Sequence, residues 1–388
     1  MAFAAPGRLA REVADLERAG IKRTRRILES AQDAVVEEGG KRLVNFSSND
    51  YLGLANDARL RAAAHRAIDH FGVGAGASPL VTGHTRLHEE AEARFAAFTG
   101  LPRALLFASG YAANLGILAS LGDRHAAIFG DKWNHACLVD GAILSRATFT
   151  RYPHCDLDTL EGQLARSTAA TRIVATDTVF SMDGDLAPLD RLLALCEAHD
   201  AWLVLDDAHG FGVIGEGGRG ALAHFALRSP RIVYMATLGK ALGGYGAFVA
   251  GAPDVVEWLL QRARTYVYST ALPPLAAAVA SAGLEVLAGE PDRVARLHAR
   301  IARFRLACEA HAVGIAPSIT AIQPIVVGDA PRAVALSAAL RERGFLVPAI
   351  RPPTVPQGTS RLRVSLSSSH TPEQVDALAR ALGELLAS

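Results

Sequence analysis

Short apolar runs alternate with helical patterns through the middle of the chain, at Ala104–Ala108, Ala126–Phe129, Ile173–Thr176, Trp202–Leu205, Ile232–Ala236 and Ala247–Ala250. Unbroken apolar runs spaced by helices predict strands buried on both faces, and so an α/β domain built on a mainly parallel sheet. Nearer the start, Leu9, Val13, Leu16, Ile27 and Leu28 recur at helical spacing among charges, which predicts an amphipathic helix or helix pair over residues 8–29. The end of the chain reads as helix, strand, irregular loop, strand and helix, a small α+β domain. The predicted division is therefore 1–45 as an N-terminal helical segment, 46–285 as the large domain and 286–388 as the C-terminal domain. The most hydrophobic stretch, Ala271–Leu284, contains Pro273 and Pro274 and falls short of the ~20 apolar residues that span a bilayer. It reads as a buried helix or a subunit contact.

Composition narrows the partners more than the chemistry. At 388 residues and 50% apolar content the chain can bury a large core and a second, smaller one. Forty basic residues against 39 acidic leave a net charge of +1, so no global field favours nucleic acid or a membrane surface. The run Lys22-Arg23-Thr24-Arg25-Arg26 is the local exception, either a solvated face or a site for an anionic substrate tail. Cys137, Cys155, Cys196 and Cys308 show no paired spacing, which predicts reduced thiols and a cytoplasmic location. Met1–Gly20 lacks the continuous apolar core of a secretory signal.

The candidate chemistry lies where the apolar runs end, because ligands of parallel sheets bind at the carboxyl ends of the strands. Lys240 follows such a run and precedes a glycine-rich turn, which suits an amine kept partly desolvated for carbonyl chemistry. Upstream, Trp202-Leu-Val-Leu-Asp206-Asp207-Ala-His209 ends a buried run in two acids and a histidine. A carboxylate at Asp206 could hold a pyridine nitrogen protonated, or Asp206 and His209 could be a helix cap and a surface histidine. Acid, histidine and lysine at successive strand ends together point to pyridoxal 5'-phosphate (PLP). Ser109-Gly110-Tyr111 opens a helical pattern after a strand, a natural phosphate cradle. Gly72–Ser78 is richer in glycine but follows a helical pattern, so it fails the context test for a dinucleotide loop. His135 could stack on an aromatic ring or be a satisfied loop histidine.

Six segments in order, Asn45–Gly53, Ser109–Asn114, Ser181–Asp185, Asp206–Gly210, Thr237–Lys240 and Ile350–Pro356, resemble the α-oxoamine synthase family. The resemblance runs from about residue 16 to the C-terminus and implies a fold-type I PLP-dependent transferase, a homodimer with sites at the subunit interface. It implies that Lys240 holds the cofactor and moves the substrate's α-proton, that His135 stacks on the ring, that Asp206 pairs with the ring nitrogen, and that His209 and Ser181 orient the ring. Gly110, Tyr111 and Thr237 would serve the phosphate and the lysine, with Ser269 and Thr270 reaching the neighbouring subunit's phosphate. Asn49 and Arg363 would take the amino-acid carboxylate, and Arg23 and Thr354 the acyl substrate. Within the family the chain is most similar to the member that condenses L-alanine with a pimeloyl thioester, carried by CoA or a carrier protein, in biotin biosynthesis. Members that use glycine are the alternative. Two positions depart from the family pattern: Pro79 stands where many relatives have arginine, and Asp177 where glutamate is expected.

Overall fold

The structure, a computed structural model, describes residues 6–18 and 22–387. Of the predicted N-terminal segment and the signal-like test on Met1–Gly20, residues 1–5 and 19–21 lie outside the described residues. A helix covers Pro6–Arg18, but residues 22–28 are irregular, so the single amphipathic element expected over 8–29 is not continuous. Strands β1 (Val35–Glu38) and β2 (Lys41–Asn45) then form a hairpin where a helical segment was expected. The connecting Gly39 and Gly40 have φ of 58° and 72°. Two successive positive φ values are what a tight hairpin turn needs, and glycine accepts them without a Cβ clash.

The apolar runs become the strands of one large sheet: β3 (Arg103–Phe107), β4 (Ala126–Asp131), β5 (Thr148–Tyr152), β6 (Thr171–Asp177), β7 (Ala201–Asp206), β8 (Ile232–Thr237) and β9 (Ala247–Gly251). Their order is β3-β9-β8-β7-β6-β4-β5, parallel except for β9, which is antiparallel to both neighbours. Successive side chains go to opposite faces, so Leu203 and Leu205 join one apolar core while Val204 joins the other. Burial on both faces is why these strands read as continuous apolar runs. β5 escaped that pattern because it is the edge strand, and Thr148–Arg151 are exposed or half-buried.

The C-terminal part packs the helices Pro291–Ala310, Ala330–Glu342 and Pro372–Ala387 with β10 (Ile322–Gly328), β11 (Phe345–Leu346), β12 (Ala349–Ile350) and β13 (Ser360–Ser365). β10-β13-β12 is antiparallel, and β11 pairs in parallel with β2, which ties the N-terminal hairpin to this part. The helix Ala330–Glu342 occupies the stretch expected to be an irregular loop. Its signals were present: Asp329 caps it by accepting from Arg332 N at 2.9 Å, and Pro331 lies in the first turn, where its missing N–H costs nothing. Pro274–Gly289 is a largely buried helix, which supports the first of the two readings of Ala271–Leu284.

Asp207, the second acid of the pair after β7, is structural. It is fully buried and accepts from Tyr234 Oη at 2.5 Å, Ala221 N at 2.8 Å and the Thr178 hydroxyl, which joins the ends of β7 and β8 to the loop after β6 and to the helix Ala221–His224. Burial pushes its carboxyl up to about 6 against the pull of those hydrogen bonds. Asp207→Ala leaves three buried donors without an acceptor and is expected to lower stability by about 3 kcal/mol or more in urea unfolding of the apo-protein. A loss below about 1 kcal/mol would remove the assignment.

Candidate active site

The sheet register brings the chemistry together. Asp177 pairs with Asp206 across β6 and β7, and Asp206 with Met235 across β7 and β8, so Asp177 and Asp206 end adjacent strands at the same level and Thr237 ends the next strand two residues further along. Lys240 follows three residues after β8. Its Nζ lies 2.9 Å from His209 Nε2, and His209 Nδ1 lies 2.7 Å from Tyr51 Oη. Tyr51 Oη donates to Asn49 Oδ1 at 3.0 Å, and Arg363 reaches the same oxygen at 3.3 and 3.4 Å. One chain of contacts therefore runs from Lys240 through His209, Tyr51 and Asn49 to Arg363.

The proton positions follow from donor arithmetic. The single hydroxyl proton of Tyr51 goes to Asn49, so His209 must donate from Nδ1 and present the Nε2 lone pair to Lys240. Burial drives the His209 pKa well below normal, and the neighbouring Lys240 and Arg363 charges add to that, which keeps the ring neutral. Burial also lowers Lys240 to about 8, partly opposed by Asp206 and Asp177. An amine near neutrality at working pH is what carbonyl chemistry requires.

Asp206 is buried and held by neutral donors: Asn114 Nδ2 at 2.7 Å, the Ala208 amide at 3.0 Å and the Cys137 thiol at 3.8 Å. Burial pushes that thiol above its usual range, so it stays protonated. His135 caps the helix Ala136–Ser145: its Nδ1 accepts from Cys137 N at 3.3 Å, and its own amide donates to Asp177 Oδ2 at 2.7 Å. The shorter acid at 177 thus reaches the backbone of the predicted stacking histidine. Burial raises the Asp177 pKa well above normal, and the neighbouring Asp206 raises it further.

Gly110 and Tyr111 form the first turn of Gly110–Leu121, where backbone amides have no partner within the helix. A methyl at Gly110 would sit 3.8 Å from Thr237 Cβ, so this turn lies beside the end of β8. Thr237 Oγ1 accepts from Gly239 N at 3.4 Å and donates to Gly246 O at 3.1 Å, bracing the loop that carries Lys240. Arg363 Nε donates to Ser181 O at 2.6 Å, which brings Ser181 to the Arg363 end of the chain of contacts.

Arg23 and Thr354 line one cleft of about 1120 Å³. A second cavity of about 530 Å³ contains Lys240 and Asn49, and Arg26 lines both. Ser269 and Thr270 are half-buried and exposed, and contribute none of the hydrogen bonds among the residues named above. Pro79 opens the short helical turn Pro79–Gly83, next to Ala77, whose carbonyl accepts from Ala271 N at 2.9 Å. Sequence reasoning did not single out Tyr51, Asn114 or Cys137 as site residues. Tyr51 and Asn114 lay inside quoted motifs, but only the fold brings Tyr51 against His209 and Asn114 against Asp206.

These residues fit PLP. A buried carboxylate with only neutral donors suits a protonated ring nitrogen, the free amides at a helix N-terminus suit a phosphate, and the Asn114 Oδ1 atom is buried without a hydrogen-bond partner in the same pocket wall. A family model described as aminotransferase class I and II matches residues 41–382, which with this site defines a PLP-dependent enzyme of fold-type I. The 8-amino-7-oxononanoate synthase of Methylobacillus flagellatus is 54% identical over 367 residues, covering 95% of this chain and 93% of that protein. The chain belongs to the aminotransferase class I and II family and, within it, to the 8-amino-7-oxononanoate synthases. Among solved structures, 8-amino-7-oxononanoate synthase from Francisella tularensis is 33% identical, with a TM-score of 0.78, covering 89% of this chain and 98% of that one. A variant of serine palmitoyltransferase from S. paucimobilis, solved with bound PLP and myriocin, is 27% identical, with a TM-score of 0.91, covering 98% and 96%.

Proposed function

We propose that the protein makes 8-amino-7-oxononanoate by decarboxylative condensation of L-alanine with a pimeloyl thioester, releasing carbon dioxide and the thiol, in biotin biosynthesis. The reaction balances in carbon: seven carbons come from the pimeloyl group and two, with the nitrogen, from alanine after loss of its carboxyl. The observation that carries it is the line of contacts joining Lys240 to Arg363 beside the buried Asp206.

PLP supplies the electron sink for a carbanion at the amino acid's α-carbon. Lys240 Nζ would hold the cofactor, and would then be placed to take the α-proton and return one. His209 orients that amine through Nε2. Asp206 would keep a ring nitrogen protonated, and His135 would lie against the ring. Arg363 and Asn49 grip the alanine carboxylate: Nε and Nη1 of the guanidinium are held by Ser181 O at 2.6 Å and Ser365 Oγ at 2.8 Å, whereas Nη2 meets only Asn49, at 3.4 Å, and is open to a carboxylate. Arg23 and Thr354, in the neighbouring cleft, receive the acyl substrate, and the amides of Gly110 and Tyr111 with Thr237 serve the phosphate.

The division into 46–285 and 286–388, with a preceding segment to residue 45, remains our proposal for the domains. We also propose a cytoplasmic homodimer. The exposed large side chains of Tyr111, Ile143, Leu144 and Tyr268 support a subunit contact, and through it Ser269 and Thr270 would reach the partner's site. The four cysteines are free, and among the described residues no helix is long and apolar enough to cross a membrane.

The test is a spectral titration of the PLP-loaded protein with L-alanine and with glycine, followed by pimeloyl-CoA or the pimeloyl carrier protein. An alanine-selective change and thiol release are expected, whereas selective response to glycine or no thiol release with either donor overturns the substrate assignment. In the same assay Arg363→Lys, which keeps the charge but loses the planar guanidinium that bonds Ser181 and Ser365 while reaching the substrate, is expected to raise the alanine KM by roughly tenfold or more with a smaller change in kcat. An unchanged KM would remove Arg363 from the carboxylate site.

A further inference from the structure

His154, outside the site described above, stands between two carboxylates. Its Nδ1 is 3.1 Å from Asp131 Oδ1 and its Nε2 is 2.8 Å from Asp185 Oδ2. A neutral imidazole has one N–H and could satisfy only one of them, leaving its lone pair facing the other acid. The ring is also flanked by aromatics. Trp133 stacks on it at 3.8 Å and 15°, and Phe180 meets it edge-on at 4.4 Å and 86°. A flat cation between two carboxylates and against an indole face is favoured on every side. Cys155 is the other titratable group against the ring, with Sγ 3.6 Å from Nε2. The two hydrogen-bonded acids outweigh the desolvation that opposes charge and raise the imidazole to about 11.

What His154 joins gives the arrangement a purpose. Asp131 ends β4, and its Oδ1 also accepts from Trp133 N at 2.8 Å, at the start of the loop that leads to His135. Asp185 closes the turn that begins with Phe180 and carries Ser181, its carbonyl accepting from Phe180 N at 3.0 Å. Asp185 Oδ2 takes its hydrogen bond from His154, while Oδ1 is buried without a partner. The far side of that turn is held by the C-terminal part: Arg361 pairs with Asp183, Arg363 donates to Ser181 O, and the hydroxyls of Ser318 and Thr320 donate to Gly184 O at 2.9 and 3.1 Å. Gly184 has φ of 71°, and a Cβ there would fall 2.4 Å from Ile322 O, so the turn is tightly seated on that side.

We propose that His154 is a positioning residue: a lasting imidazolium that locks the His135 loop and the Ser181 turn together, fixing the wall of the cofactor pocket against the face that receives the amino acid. The inference rests on the function proposed above for His135 and Ser181, but its first test does not need that function. Nitrogen-15 NMR of the histidine-labelled holoenzyme, with the His154 signals assigned by comparison with His154→Gln, is expected to show both ring nitrogens protonated from pH 6 to 9. A neutral tautomer at pH 8 overturns the proposal.

The second test asks whether the clamp positions the site. Glutamine can donate to one acid but turns its carbonyl toward the other. His154→Gln is therefore expected to weaken PLP binding about tenfold, alter the visible dichroism of the bound cofactor, and lower kcat by roughly ten- to a hundredfold. Adding Asp185→Asn supplies a donor to the glutamine carbonyl and is expected to recover most of the loss. A His154→Gln protein with lower melting temperature but unchanged dichroism and kcat, or a double variant no better than the single one, overturns positioning. Normal clamp signals in a protein that fails the alanine titration would count against the proposed reaction and leave the clamp standing.

Discussion

Lys240→Ala is expected to lower the condensation rate by on the order of 10⁴-fold or more, because one amine carries both the cofactor linkage and the proton transfer and no neighbour can replace it. His209, the nearest basic group, is buried and held neutral with its Nδ1 proton committed to Tyr51. Its Nε2 accepts from the Lys240 side and cannot form the covalent link. The check is single-turnover thiol release from the purified variant, and residual activity within a hundredfold of wild type would take Lys240 out of this role.

The same lysine has a signature in the apo-protein. Its pKa is 10.5 when exposed and about 8 in the fold, so the unfolded chain binds the extra proton between those values. Stability therefore rises with pH across that window: the cost of the buried ammonium is fully present below pH 8 and relieved by about 10.5. Relative to Lys240→Met, wild-type apo-protein is expected to gain up to about 3 kcal/mol over that interval in urea unfolding. A flat difference would mean that the amine is not desolvated.

Asp206→Asn is expected to lower kcat by about 10³-fold with little change in fold, the reverse of the effect at its neighbour Asp207. The asparagine keeps the shape: its Oδ1 can still accept from the Ala208 N–H, and its Nδ2 can donate to Asn114 Oδ1, which has no partner in the wild type, once the Asn114 amide turns over, so the pocket wall survives. What is lost is the negative charge facing the ring nitrogen, and with it the electron sink. Steady-state kinetics with PLP content measured on the same sample provides the check. A kcat within tenfold of wild type at full PLP occupancy would show that the charge is not needed. Asp207→Ala should instead reveal itself in denaturation, since Asp207 spends its carboxylate on Thr178, Tyr234 and the Ala221 amide.

The pair shows where the sequence stops being legible. Two adjacent acids after one apolar run are indistinguishable by composition, and their side chains leave a strand end on opposite sides. Asp206 faces the pocket between Asn114 and Cys137, while Asp207 faces the core beside Tyr234. The apolar runs were legible because a strand buried on both faces has no polar side to disguise it, and the edge strand β5 was missed for the opposite reason. The hairpin of residues 35–45 was missed although Gly39-Gly40 between two short runs is a local turn signal; only its pairing with Phe345–Leu346, some 300 positions away, is beyond a local pattern. At the site, Lys240 and His209 stood out in motifs and the family resemblance gave Asn49 and Arg363, but Tyr51, which links His209 to Asn49, was only a motif neighbour.

The sequence by itself determined the parallel sheet, the lysine presented after a strand, the acid and histidine at the next strand end, and the family those motifs belong to. These are local matters of apolar period, turn residues and short spacing. Only the tertiary structure decided which acid meets Asn114 and which turns into the core, that Tyr51 sets the proton on His209, and that His154 sits between Asp131 and Asp185. Each of those depends on hydrogen bonds between residues far apart in the chain. Their partners are fixed by sheet register and packing, which no local pattern encodes.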